Sequence, residues 1–178
     1  MASHDAAFGR EFLARGLDMM RNDRQVYPDC PDPALFDALE EIAPPAPERG
    51  IRVLQQFSAR TYNVEPVAQA AVMRIPTASS CWIPVYLDWG GWNAVPSNLE
   101  LAAVARHWHE TWGARLIAIS SDQLELRVSG KPQSHAEAVA LLREQYCLSG
   151  DNWEFDKAVL EEAAAHLRVA DSREFWWD

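Results

Sequence analysis

The stretch 97–128, SNLELAAVARHWHETWGARLIAISSDQLELRV, carries a helix, its stop and a hairpin in direct succession. Ser97 with Glu100 forms a capping box, in which the hydroxyl takes an amide of the first turn and the carboxylate reaches back to the cap. Leu101, Val104 (with Ala105), Trp108 and Trp112 then recur at helical spacing and predict one apolar stripe. Gly113 closes the helix, because glycine enters the left-handed conformation without steric cost. Leu116-Ile117-Ala118-Ile119 follows as an apolar strand and Ser120-Ser121-Asp122 as a turn. Leu124, Leu126 and Val128 alternate with Glu125, Arg127 and Ser129, the pattern of a half-buried partner strand. A capped helix leading into an antiparallel hairpin excludes all-helical and all-β folds and points to an α+β layer arrangement.

Toward the C-terminus, Ser134 and Glu137 repeat the capping box, and the helix they open turns Ala138, Leu141 and Gln145 inward before Gly150. Asp151 and Glu154 start a last helix with Phe155, Val159, Ala163 and Leu167. The sequence closes Phe175-Trp176-Trp177-Asp178. Consecutive residues cannot all face one way, so one of these tryptophans is expected in the core and its neighbour at the rim. Chain ends fray unless tied down, and burying one such ring supplies about 1.5 to 3 kcal/mol.

Toward the N-terminus, Trp89-Gly90-Gly91-Trp92-Asn93-Ala94-Val95-Pro96 reads as a turn-rich loop. Trp82 to Leu87 reads as a strand, with Pro84 placing it at an edge or bulge. Segments 51–57 and 67–75 read as two further strands. Asp32-Pro33 opens a helix to about Ile42, and residues 5–21 form another around Phe8, Phe12 (with Leu13), Gly16 and Met19 (with Met20). The expected architecture is α+β: a single mixed, partly antiparallel sheet of about five strands with flanking helices, plus an N-terminal helical extension. Residues 1–43 form the extension packed on the main domain, 44–50 a proline-rich linker and 51–178 the α+β domain.

The net charge is −10, and only two lysines, Lys131 and Lys157, accompany the arginines. Binding to nucleic acid rests on neutralising phosphates with Lys and Arg, so no nucleic-acid partner is expected. The first 50 residues carry ten acids against five bases, residues 151–178 eight against three, and residues 51–150 balance. No basic segment with a following apolar run opens the sequence and no run reaches the roughly 20 apolar residues of a membrane helix. Three widely separated cysteines fit a reducing compartment. A cytoplasmic location and no membrane contact follow as expectations.

Candidate chemistry is sparse. His107 and His109 are two residues apart on a helix and point in divergent directions, so they do not converge on a metal; no metal site and no cofactor are expected. His166, near a helix end, is expected to have its charge favoured by the dipole. Cys147, on a helix among apolar residues, reads as a buried thiol. Acid–base work would fall to Asp88, Asp122 or Asp178 in a cleft between the tryptophan loop and Trp176-Trp177; no catalytic residue is assigned. The surplus lies in tryptophan, eight in 178 residues. Trp108 and Trp112 follow the core stripe, whereas the loop and terminal positions suit a binding surface, since tryptophan beside acidic groups is common hot-spot material. The candidate binding residues are Asp88, Trp89, Trp92, Asn93, Trp176, Trp177 and Asp178.

Several motifs within residues 82–178 resemble the bacterial DUF4253 domain family: Gly91-Trp92-Asn93 with Pro96, Trp108 ahead of Gly113-Ala114, Glu137-Ala138, Glu144-Gln145-Tyr146 with Cys147, and Phe175-Trp176-Trp177-Asp178. The chain departs from the family's usual Cys-Pro-Asp, having Cys147-Leu148-Ser149-Gly150-Asp151. The resemblance brings no catalytic residue. It implies a small protein of the kind encoded beside bacterial toxins, hence an immunity protein that binds a toxin, with the acidic charge pointing to a basic one. The alternatives are an enzyme with a carboxylate-based site near the tryptophan loop, or a structural module of an assembly.

Overall fold

The helix with the strongest start and stop signals lies at the centre of the structure. A computed structural model describes residues 6–22, 72–150 and 157–177, with side chains of 6–16 in the first segment. Among these residues, helix α1 (Ala6–Asn22) is followed by a 3-10 turn (Ser80–Trp82), a one-turn helix α2 (Ile83–Tyr86) and helix α3 (Asn98–Trp112). Strands β1 (Arg115–Ile119) and β2 (Gln123–Arg127), helices α4 (His135–Leu148) and α5 (Lys157–Leu167), and strand β3 (Ser172–Trp176) complete the order.

Both halves of the α3 capping box are present: Ser97 Oγ accepts from the Glu100 amide, and the Glu100 carboxylate accepts from the Ser97 amide at 2.9 Å. At the other end Gly113 has φ +62°, its amide donates to His109 O, and Ala114 N donates to Trp108 O. The bond from Gly113, five residues closed by an αL glycine, is that of an αL C-cap. Leu101, Val104 and Trp108 are buried along the expected stripe. The second capping box is only half made. Ser134 Oγ accepts from Glu137 N, but the Glu137 carboxylate reaches past the cap to Gln133 N at 2.7 Å.

The hairpin forms as read, with Leu116 opposite Leu126 and Arg115 opposite Arg127. A bulge at Ile117 sets two residues of β1 against Glu125. The α+β class holds, with helices beside an antiparallel sheet. Among the described residues the sheet has three strands in the order β1-β2-β3, all antiparallel. The third strand is the closing segment 172–176, which pairs Leu124 with Phe175 and Leu126 with Arg173. Trp82–Leu87 is not a strand but helical. Pro84 occupies the first turn of α2, where a missing N–H costs nothing, and its carbonyl accepts from Trp89 N at 2.9 Å. Residues 72–75 carry no strand. The expected strand 51–57, the rest of 67–75, the helix 32–42, the linker 44–50 and the start of the last helix lie outside the described residues.

The core gathers Val104 and Trp108 of α3, Leu116, Leu124 and Leu126 of the hairpin, Leu142 of α4, Leu160 of α5, and Phe175 and Trp177. Helix α1 packs on α3 and α4 through a stripe that keeps Leu13 and Gly16 of the expected one but replaces its phenylalanines with Ala6 and Gly9. Ala6, Gly9 and Leu13 are buried, while Phe8 and Phe12 are only partly so. The reason is close approach: a Cβ on Gly9 would collide with the carbonyl of Ala103, and one on Gly16 would lie 3.3 Å from Cys147 Cβ. Bulky rings cannot occupy such a contact, so they flank it.

A Gly9→Val substitution is therefore expected to push α1 away from α3 and destabilise the fold by about 1 to 3 kcal/mol, the usual cost of overpacking, read as a lowered melting temperature. Ala7→Val on the exposed face should leave it nearly unchanged.

Candidate functional site

The loop after α2 is closed on itself. Gly91 N donates to Pro96 O and Val95 N to Trp92 O, both at 2.9 Å. Gly90 has φ +116°, and a Cβ there would stand 2.5 Å from Pro96 O, so this turn admits only glycine. Asp88 and Asn93 also take positive φ, +48° and +45°. Asp88 is fixed by Asn98, whose Nδ2 donates to Oδ1 at 2.8 Å, which pins the loop to the start of α3. The turn presents Trp92 half-buried with Asn93 and Ala94 exposed.

Three candidate residues converge on the hairpin turn. Trp89 Nε1 donates to Ser120 O at 2.7 Å, Trp176 Nε1 to Asp122 Oδ2 at 3.2 Å, and the Trp177 amide to Asp122 O at 3.1 Å. Asp122 also accepts from the hydroxyls of Ser120 and Ser121. The tryptophan loop, the hairpin tip and the end of β3 thus form one hydrogen-bonded surface. Asp178 lies outside the described residues.

Behind that surface runs a row of rings. Trp92 meets Trp89 edge-on with centroids 6.0 Å apart, and Trp89 meets Trp177 edge-on at 5.7 Å. Trp177 stacks near Phe175 at 6.2 Å, and Phe175 stacks on Trp108 at 5.3 Å. Exposure falls along it: Trp92 and Trp89 are half-buried, whereas Trp177, Phe175 and Trp108 are 1%, 2% and 3% exposed. The expected split at the terminus holds, with Trp177 inside and Trp176 at the rim. Each buried indole finds an acceptor, Leu148 O for Trp177 at 3.2 Å and Glu144 Oε2 for Trp108 at 2.7 Å. Ser149 Oγ adds a 2.6 Å bond to Trp176 O, holding β3 to the end of α4.

Glu144 is the partner that residue types alone did not single out. Its second oxygen lies 3.1 Å from His107 Nε2, so one carboxylate ties two neighbours on α3 to α4. Its signal in the sequence was the Glu144-Gln145-Tyr146 motif. His107 and His109 diverge, the latter bonding Ala114 O at 2.9 Å. Cys147, one turn beyond Glu144, is an inert thiol: burial and the Glu144 charge push its pKa up to about 12. The expected dipole effect at His166 is overturned. Burial and the Arg173 guanidinium lower its pKa. Arg173 already occupies the helix end, donating from Nη2 to Leu167 O at 2.9 Å and from Nη1 to Ala170 O at 3.2 Å. Burial lowers this guanidinium to about 10, with Asp171 opposing the shift, so it stays charged at neutral pH.

A match to the DUF4253 family, a domain of unknown function, spans residues 71–178. The chain belongs to this family, and the match contains the whole of the surface just described. No curated protein and no solved structure matches the chain. No described helix is long and apolar enough to cross a membrane.

Three outcomes follow. Trp177→Ala should cost about 3 to 5 kcal/mol, the range for emptying a buried aromatic site, whereas Trp92→Ala should cost under about 1 kcal/mol because its site is open to water; chemical denaturation separates them. Cys147 should resist alkylation at pH 8 in the native state by peptide mapping. Its pKa lies above the ordinary 9.0, so its contribution to stability is full below pH 9 and is lost as pH climbs toward about 12; Cys147→Ala should flatten that alkaline decline.

Proposed function

We propose that this chain is a non-enzymatic protein-binding domain, an intracellular immunity protein that neutralises a bacterial toxin by direct contact. The observation that carries the reading is the fixed, half-exposed indole set Trp89, Trp92 and Trp176 around the tip Ser120–Asp122. Large rings held rigidly at a surface give contact area at low entropic cost. Asp88 lies exposed beside Trp89, and the chain's net charge of −10 favours encounter with a basic partner. The same geometry weighs against a carboxylate-based enzyme at this place. Asp88 is held by Asn98 and Asp122 accepts three side-chain donors, so both serve the framework rather than standing ready to take a substrate proton.

The test is rescue of growth in cells expressing a toxin encoded beside this chain, with affinity measured by calorimetry on purified partners. Trp92→Ala and Trp176→Ala should each weaken binding by at least about 30-fold, the scale of a hot-spot residue near 2 kcal/mol, with little change in Trp92→Ala stability. A chain that neither protects nor binds the toxin contradicts the proposal.

A further inference from the structure

The sheet turns Leu116, Leu124, Leu126 and Phe175 toward the helices, so the register fixes what its other face carries. Arg115 stands opposite Arg127 in one cross-strand row. In the next row Glu125 stands opposite Glu174, with Ala118 and the bulged Ile117 on the far side. Arg115, Arg127, Glu174 and Ala118 are exposed, Glu125 is half-buried, and Ile117 is 53% exposed. Like charges directly opposite one another destabilise an antiparallel pair, and here two such rows lie side by side with opposite sign. Long side chains reach across a diagonal on one sheet face, yet no ion pair joins the two rows among the described residues. Asp171, beside the arginine row, is engaged by Lys131 at 2.6 Å and also feels the charge of Arg127.

Such a face is its own complement. A two-fold axis in the contact plane, lying along the boundary between the rows, sets the arginine row of one copy on the glutamate row of the other. Arg127 then faces Glu125 most directly, and Ile117 packs beside the stem of Arg115. The net charge of −10 works against pairing of two copies, so the row-on-row contacts have to offset it.

We propose that the outward sheet face binds a second copy of this chain, forming a two-fold dimer in which Arg115 and Arg127 of one protomer meet the glutamate row of its mate. Three strands about 4.8 Å apart and five residues of about 3.4 Å each give a face of about 14 by 17 Å. That is small against the roughly 800 Å² per partner of a stable complex, so the dimer is a weak one, with a Kd in the micromolar range or above. It does not depend on any toxin.

Sedimentation of the purified chain from about 10 to about 500 µM, the range a small interface requires, should show the mass rising from one chain toward twice 20.0 kDa. The variants Arg115→Glu/Arg127→Glu and Glu125→Arg/Glu174→Arg should each be monomeric, and an equimolar mixture should regain the dimer, because each row then meets its opposite. Circular dichroism checks that both fold. If either double variant misfolds, Arg127→Ala, which adds no new charge, should still weaken self-association by at least about tenfold, the scale of a 1.4 kcal/mol loss. A wild-type chain monomeric throughout overturns the proposal and leaves the face to another segment of the chain or to a foreign partner. A dimer indifferent to both swaps, or folded variants that fail to pair when mixed, also overturns it.

Discussion

The contact between Trp89 and Trp177, edge to face at 5.7 Å, is the constraint on which the described structure turns. It joins a surface loop to the end of the last strand across about half of the chain's length. On the inner side, Trp177 continues through Phe175 to Trp108, and Trp108 hands its indole hydrogen to Glu144 on the neighbouring helix. On the outer side, Trp89 supports Trp92. Loop, sheet, central helix and α4 are thereby connected by one continuous run of aromatic packing and charge-assisted hydrogen bonding. Each buried ring is worth a few kcal/mol in area alone, and the ring–ring geometry adds about 0.5 to 1.5 kcal/mol per pair.

The same run explains how a solvent-facing loop stays ordered. A loop in which two non-glycine residues, Asp88 and Asn93, take positive φ carries backbone strain that surrounding contacts must hold. Those contacts are Asn98 on Asp88, Pro96 O on the Gly91 amide, and Ser120 O on the Trp89 indole. Their product is a preformed surface whose rings need not be immobilised on binding. Preformation of this kind lets a small patch bind tightly, and it is what the proposed role as a toxin-neutralising protein requires.

Local rules were legible in the sequence where they act locally. Ser97 with Glu100, the stop at Gly113 and the alternation from Leu124 to Val128 needed no distant partner. The run Trp82 to Leu87 is ambiguous in the sequence because a short apolar segment with a proline suits an edge strand and a helix start equally, and only its packing decides. Strand β3 stayed hidden for a different reason. Its inward set is Arg173 and Phe175, and a buried arginine breaks the apolar alternation that marks a strand. Arg173 earns its place by capping the carbonyls of Leu167 and Ala170, a demand set by the end of α5. At the site, the tryptophans were legible as residues out of proportion to the chain. Their acceptors, the carbonyls of Ser120 and Leu148, are backbone atoms that no residue type announces.

The central claim, that Trp89 and Trp177 act as one coupled unit joining the loop to the core, is tested most directly by a double-mutant cycle on stability with Trp89→Leu and Trp177→Leu. The account predicts a coupling free energy of about 1 kcal/mol, within the range for contacting aromatic pairs. Additivity within about 0.3 kcal/mol, the behaviour of residues that do not touch, would contradict it.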